Sequence, residues 1–165
     1  FIDMKLKKGD RLPSGELFYL DEKKTVKKIE ADLLFKNQKV IMFGLPGAFT
    51  TVCSAKHLPG FINNFEEAKK KGVTKIVCIS VNDPFVMRSW GEAHKVEDKI
   101  LMIGDPFCKF IKEIGADIDK SEKGLGIRSS RFTMLVENGI VKELKEEKDT
   151  ATCEISSAEN FLKNI

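Results

Sequence analysis

The sequence contains no Cys-x-x-Cys pair. Its four cysteines, Cys53, Cys78, Cys108 and Cys153, stand far apart. That spacing writes neither a zinc ribbon nor a thioredoxin-type dithiol. There is no Asn-x-Ser/Thr acceptor, and 165 residues are enough to build a core without disulfide staples. An intracellular reducing compartment, the cytoplasm or an organelle, is therefore expected. No apolar run approaches the ~20 residues that a membrane span needs. No large excess of charge is present either. The formal net charge is +3, and the lysine clusters (Lys5-Leu6-Lys7-Lys8, Lys23-Lys24 and Lys69-Lys70-Lys71) are short and dispersed. They read as solvated surface, not as a nucleic-acid footprint. Repeats, low-complexity stretches and linkers are all lacking, which predicts one domain over residues 1–165. The chain opens at Phe1 without an initiator Met, as a processed form does, and any leader is lost from view. Gly124-Leu125-Gly126-Ile127-Arg128-Ser129 lacks the third glycine of a dinucleotide fingerprint and follows no clear strand.

What is present is organised around Phe43-Gly44-Leu45-Pro46-Gly47-Ala48-Phe49-Thr50-Thr51-Val52-Cys53-Ser54. Val40-Ile41-Met42-Phe43 leads in as a buried strand, and Pro46-Gly47 breaks it. From Leu58 the apolar residues Leu58, Phe61, Ile62, Phe65 and Ala68 fall on one helix face. Cys53 thus stands in the turn, or first helical turn, after a buried strand. Free N–H groups and the positive helix end favour a thiolate there.

In chain order, Glu16–Leu20 and Thr25–Ile29 predict a hairpin, and Ala31–Phe35 a single helical turn. The central strand spans Lys39–Gly44. A helix follows from about Ser54 to Lys71, with Pro59 bending it or delaying its regular start. Lys75–Val81 and Ile100–Ile103 are continuous apolar strands, as expected where both sheet faces are covered. Asn82-Asp83-Pro84 starts one helix. Gly104-Asp105-Pro106 starts another, whose apolar face is Phe107, Phe110, Ile111 and Ile114. Residues 117–129 read as a loop. Arg131–Val136 and Ile140–Leu144 form a hairpin through Asn138-Gly139, and Ser156–Ile165 is a capped helix. Alternating strands and helices predict a parallel core sheet in a three-layer α/β/α sandwich, with antiparallel edge strands from the terminal hairpin.

The chemistry lies in Pro46-x-x-x-Thr50-x-x-Cys53, which puts a hydroxyl three residues before a thiol. Arg131 opens a later strand and is a candidate to fold back onto this turn. A thiolate attacks, while a hydroxyl, N–H groups and a guanidinium bind oxygen atoms gaining negative charge. A peroxide suits this set. In-line attack cleaves the O–O bond and leaves a sulfenic acid. A fixed positive charge also favours the thiolate; activated cysteines titrate at ~3.5–7.5 against ~8.5 when free. On the residues alone, Arg131 reads more readily as a surface arginine on an edge strand. His57 reads as a structural or supporting histidine, not a base. Cys78 reads as core, Cys108 as packing or a surface thiol with no role in the chemistry, and Cys153 as a surface bystander or a resolving thiol. A redox sensor or chaperone-type protein using Cys53 as a switch remains open, as does a transferase. A hydrolase would need a nucleophile–base–orienter motif, and none is visible.

Pro46-Gly47-Ala48-Phe49-Thr50, Cys53-Ser54 and His57-Leu58-Pro59-Gly60-Phe61 together resemble the active-site signature of the peroxiredoxins, nearest the peroxiredoxin-five or plant type II branch. The likeness continues through Ile79–Asp83, Trp90–His94, Asp105-Pro106, Arg131-Phe132, Asn138–Val141 and Ser156–Glu159, and so covers nearly the whole chain. It implies a thioredoxin-like fold, Cys53 as the peroxidatic cysteine, and Pro46, Thr50 and Arg131 completing the site. Pro46 would shield the thiolate. It further implies reduction of hydrogen peroxide and organic hydroperoxides without metal or other cofactor, and recycling by glutathione with glutaredoxin or by thioredoxin, in a homodimer. Family members commonly carry Pro after the Thr, where this chain has Thr51. Cys153 lies two residues from the position of one branch's resolving cysteine. Cys78 has the spacing of the other's. A one-cysteine cycle is the expectation.

Overall fold

In the computed structural model, which describes residues 4–165, nine strands and six α-helices alternate. The order is β1 (Glu16–Leu20), β2 (Val26–Glu30), α1 (Ala31–Phe35), β3 (Lys39–Gly44), a π turn (Cys53–His57), α2 (Leu58–Asn63), α3 (Phe65–Lys70), β4 (Lys75–Ser80) and α4 (Pro84–Ala93). It continues with β5 (Leu101–Gly104), α5 (Lys109–Glu113), β6 (Asp117–Asp119), β7 (Ile127–Ser129), β8 (Phe132–Glu137), β9 (Ile140–Glu146) and α6 (Ala158–Lys163). Seven strands form one sheet in the order β2-β1-β5-β4-β3-β8-β9. The centre, β5-β4-β3, is parallel, and β1 and β8 flank it antiparallel. The fold is thioredoxin-like.

The apolar runs form the central strands because both faces of the sheet are covered. Alternate residues serve opposite layers. Val40, Met42, Val77 and Ile79 pack with Leu34, Phe35, Phe110 and Ile111 from α1 and α5. Ile41, Phe43, Ile76 and Cys78 pack with Leu58, Phe61, Trp90 and Phe161 on the other face. Gly44 is required by a close approach, since a Cβ there would run into the Phe132 ring of the neighbouring strand.

Four local expectations are corrected. The helix expected from Ser54 to Lys71 is three pieces. A π turn opens it, with the Leu58 N–H donating to the Cys53 carbonyl, and Asn64 interrupts it. Pro59 has no N–H to give to an α-type ladder, so the register shift falls just ahead of it. Phe107 is not on a helix face. It is 68% exposed, and α5 starts only after Cys108, which adopts a left-handed conformation. There Asp105 accepts from the Ile111 N–H in place of a local cap. Residues 117–129 are not plain loop, because β6 and β7 pair into a small second sheet. Finally, β8 is an interior strand, covered by β9 on its outer side.

Candidate active site

The sheet's topology assembles the site at the carboxyl end of β3. The chain leaves β3 at Gly44, turns through residues 45–50, and delivers Cys53 at the start of the π turn. Three successive peptide groups of the turn, from Leu45 to Ala48, are held by side chains. The single hydrogen of the Ser80 hydroxyl is shared between two acceptors, Asn82 Oδ1 at 2.8 Å and the Leu45 carbonyl at 3.2 Å. Asn82 Oδ1 also accepts from the Ala48 N–H at 3.0 Å. Thr50 Oγ1 donates to the Gly47 carbonyl at 2.7 Å, and Arg128 Nη1 donates to the Pro46 carbonyl at 3.1 Å. Pro46 is buried. Phe49 takes a left-handed φ of 66° and is 56% exposed.

Arg131 reaches Cys53 from the strand next door. It immediately precedes β8, and the Gly44–Phe132 pairing brings it beside the turn. Its Nη2 donates to Cys53 Sγ at 3.1 Å. Both residues are buried, Arg131 being only 1% exposed, so the reading of Arg131 as a surface residue on an edge strand is overturned. A sulfur that receives a guanidinium N–H out of water is suited to carry negative charge.

The rest of the guanidinium is also engaged. Nε donates to the Thr150 carbonyl, and Nη1 lies 3.1 Å from His57 Nδ1. Because Arg131 has no acceptor, Nδ1 of His57 must be the bare nitrogen and Nε2 the protonated one. Nε2 faces Thr133 Oγ1 at 3.0 Å and the Ser156 carbonyl at 3.2 Å. Burial, and then the charge of Arg131, push the His57 pKa well below its usual value, against the opposing pull of the Ser156 carbonyl. His57 is neutral and holds Arg131 in place.

Of the other cysteines, Cys78 and Cys153 lie near the site and Cys108 does not. Cys78 lies on the same sheet face as Phe43, and burial pushes its thiol well up, with Cys53 adding to the effect. Cys153 is buried as well, which corrects the expectation of a surface thiol as one of its two readings. Burial raises its pKa, while Arg131 and a hydrogen bond to Ser156 pull the other way. Burial also raises Cys108, remote from the site beside Asp105. Arg128 went unread in the sequence because its segment lacks the apolar periodicity of a strand. The basic residue three places before Arg131 was the available signal. Among the described residues no cluster of three or more His, Cys, Asp or Glu is placed to hold a metal ion.

A thioredoxin-like fold with a buried cysteine under a guanidinium, at the end of the central strand, defines a class of thiol-dependent oxidoreductases. The family model described as Redoxin matches residues 7–162. The chain is 40% identical over 157 residues to Peroxiredoxin-2D of Arabidopsis thaliana, covering 95% of this chain and 96% of that protein. Among solved structures it is similar to reduced Prx3 of Vibrio vulnificus in complex with H2O2, with a TM-score of 0.90, 39% identity, and coverage of 96% of this chain and 98% of that one. It is also similar to the Plasmodium falciparum antioxidant protein, a 1-Cys peroxiredoxin, with a TM-score of 0.89, 31% identity, and coverage of 97% and 100%. The chain belongs to the redoxin family and within it to the peroxiredoxins of the peroxiredoxin-five or plant type II kind. It is a thiol peroxidase, an oxidoreductase of antioxidant defence.

Proposed function

We propose that Cys53 is the peroxidatic cysteine of a one-domain enzyme, acting on hydrogen peroxide and organic hydroperoxides with Thr50, Arg131 and Pro46. The observation that carries this reading is the 3.1 Å donation from Arg131 Nη2 to the buried Cys53 Sγ. The thiolate attacks the nearer peroxide oxygen along the O–O axis. An S–O bond forms, the O–O bond breaks, and the bond pair leaves on the far oxygen as hydroxide or alkoxide. That oxygen takes up a proton, and the substrate proton remaining on the near oxygen makes Cys53 a sulfenic acid. Arg131 offsets charge on both the sulfur and the transferred oxygen. Thr50 gives its own hydrogen to the Gly47 carbonyl, so its oxygen lone pairs are left to accept the peroxide O–H. Pro46 is buried beside them and shields the sulfur from side reactions.

The sulfenate is resolved by an external thiol, glutathione with glutaredoxin or thioredoxin. Support comes from Cys78 and Cys153, since each is buried and its thiol is pushed toward the protonated, unreactive form. The condensation forms a mixed disulfide and releases water. A second thiol then returns Cys53 to its reduced state. The four unpaired cysteines suit a reducing compartment, cytoplasmic or organellar.

Peroxide turnover of wild type is compared with Cys53→Ser, Cys78→Ser and Cys153→Ser, offering each reductant in turn. Cys53→Ser is expected to show no turnover, and the other two to keep it. Activity surviving in Cys53→Ser overturns the assignment. Loss of thioredoxin-dependent turnover in Cys78→Ser or Cys153→Ser, with one peroxide still reduced, makes that cysteine the resolving thiol instead.

A further inference from the structure

Four consecutive residues of the turn, Leu45 to Ala48, are held by hydrogen bonds. Three of the four clamps are neutral side chains, Ser80, Asn82 and Thr50, attached to the main sheet or to the turn itself. The fourth is a charge from elsewhere. Arg128 stands in β7, in the small β6–β7 sheet outside the core. Its Nη1 donates to the Pro46 carbonyl at 3.1 Å and its Nε to the Leu125 carbonyl at 2.8 Å. The guanidinium therefore bridges two backbone segments and meets carbonyl oxygens, not a carboxylate.

Gly47 is matched to this arrangement. A Cβ added there would sit 2.5 Å from Arg128 Nη1, with Thr50 Cγ2 next nearest at 3.3 Å. Gly47 has no left-handed φ, so the absent side chain leaves room for the arginine and is not a backbone need. One peptide unit further on, the Gly47 carbonyl is the acceptor that orients the Thr50 hydroxyl. Arg128 thus fixes the plane of the Pro46–Gly47 peptide, which sets the start of the adjoining Gly47–Ala48 peptide, and the carbonyl of that second peptide sets where the Thr50 oxygen points.

We infer that Arg128 is a positioning residue for the peroxide reaction, acting through the Pro46–Gly47 peptide on Thr50. This rests on Thr50 and Cys53 forming the peroxide site. Arg128 makes no contact with Cys53, which is held by Arg131. It governs the substrate oxygen's placement and leaves the sulfur's hydrogen bond to Arg131. A misplacement of order 1 Å at such a site costs about a hundred-fold in rate.

The test is the second-order rate of Cys53 oxidation by hydrogen peroxide across pH, followed by intrinsic fluorescence. Trp90 Nε1 donates to Ser54 Oγ beside Cys53, so the indole reports on that residue. Arg128→Met and Gly47→Ala are each expected to slow oxidation about ten- to a hundred-fold, with the midpoint of the pH profile where it stands in wild type. Arg128→Lys should recover part of the rate, since one ammonium reaches one of the two carbonyls. In the double variant Gly47→Ala/Arg128→Met the losses should not multiply, because both changes break the same contact. Wild-type rates in Arg128→Met overturn the inference. So does a shifted pH midpoint, or multiplicative losses in the double variant. If Arg128→Met does not fold, Arg128→Lys with Gly47→Ala carries the same cycle. A wild type whose Cys53 does not react at all would overturn the peroxidatic assignment instead, and is read separately.

Discussion

His57 shows what one buried side chain does for this site and what it costs. It sits fully buried between Arg131, Thr133 and Ser156 and is kept neutral by burial and by the arginine's charge. In the unfolded chain a histidine takes up a proton near pH ~6.5. The folded state does not, so between pH 6.5 and the depressed folded value the unfolded state binds more protons. Stability then falls as pH falls, by about 1.4 kcal/mol per pH unit, and is independent of this group above pH ~6.5. Urea unfolding at pH 6.5 and 5.5 should show a loss of about 1 kcal/mol from this group in wild type, since the unfolded histidine is already half protonated at the upper pH, and a loss smaller by that amount in His57→Gln. Equal losses in the two proteins would show that His57 is not held neutral. The sequence made His57 visible only as a neighbour of Cys53. Its contact with Arg131 spans 74 residues and depends on β3 and β8 lying side by side, which no local pattern encodes. Cys53, Pro46 and Thr50 were legible because they share one turn.

At the scale of elements, residues 147–157 are the least regular part of the site's wall, and a single carboxylate organises them. Glu147 is buried, and its Oε2 accepts from the N–H groups of Glu154 and Ser156 and from the Ser156 hydroxyl. Its Oε1 accepts from Thr152 Oγ1. Leaving one such buried donor unpaired costs about 1–3 kcal/mol. Glu147→Ala should therefore loosen the segment locally. Faster amide exchange over 150–157, and faster alkylation of Cys153 located by mass spectrometry, are expected while α2 keeps its protection. Unchanged exchange there would show that Arg131 alone, through the Thr150 carbonyl, holds the segment. The same contrast explains which elements the sequence disclosed. The strands β3, β4 and β5 were legible because both their faces are apolar, and α4 because Asp83 caps it through the Val86 N–H. The β6–β7 pair was not legible. Its strands are three residues each, and only Ser129 among them is buried, so neither alternation nor a buried run marks them.

At the scale of the molecule, parallel strands send their following loops to one edge of the sheet. Phe49 follows β3, Phe85 follows β4 and Phe107 follows β5, and all three rings are more than half exposed. Phe107 also stands edge-on to Phe18, at a centroid distance of 6.2 Å. An apolar edge of this kind, beside Cys53, is suited to burial against a second copy of the chain. In a twofold interface each ring is buried twice, once per protomer, and each burial of a Phe contributes about 1.5–3 kcal/mol. The homodimer implied by the family resemblance is accordingly predicted to form at this edge. Sedimentation equilibrium should find wild type dimeric and Phe85→Glu/Phe107→Glu monomeric at the same concentration, with the circular dichroism unchanged. Leu33→Glu serves as the control. Leu33 is 58% exposed on α1, before β3 and so at the opposite edge, and its replacement should leave the dimer intact. A dimer that survives the double change places the interface elsewhere. A monomeric wild type removes the need for one, and the three phenylalanines would then be a surface for the protein that delivers the reductant.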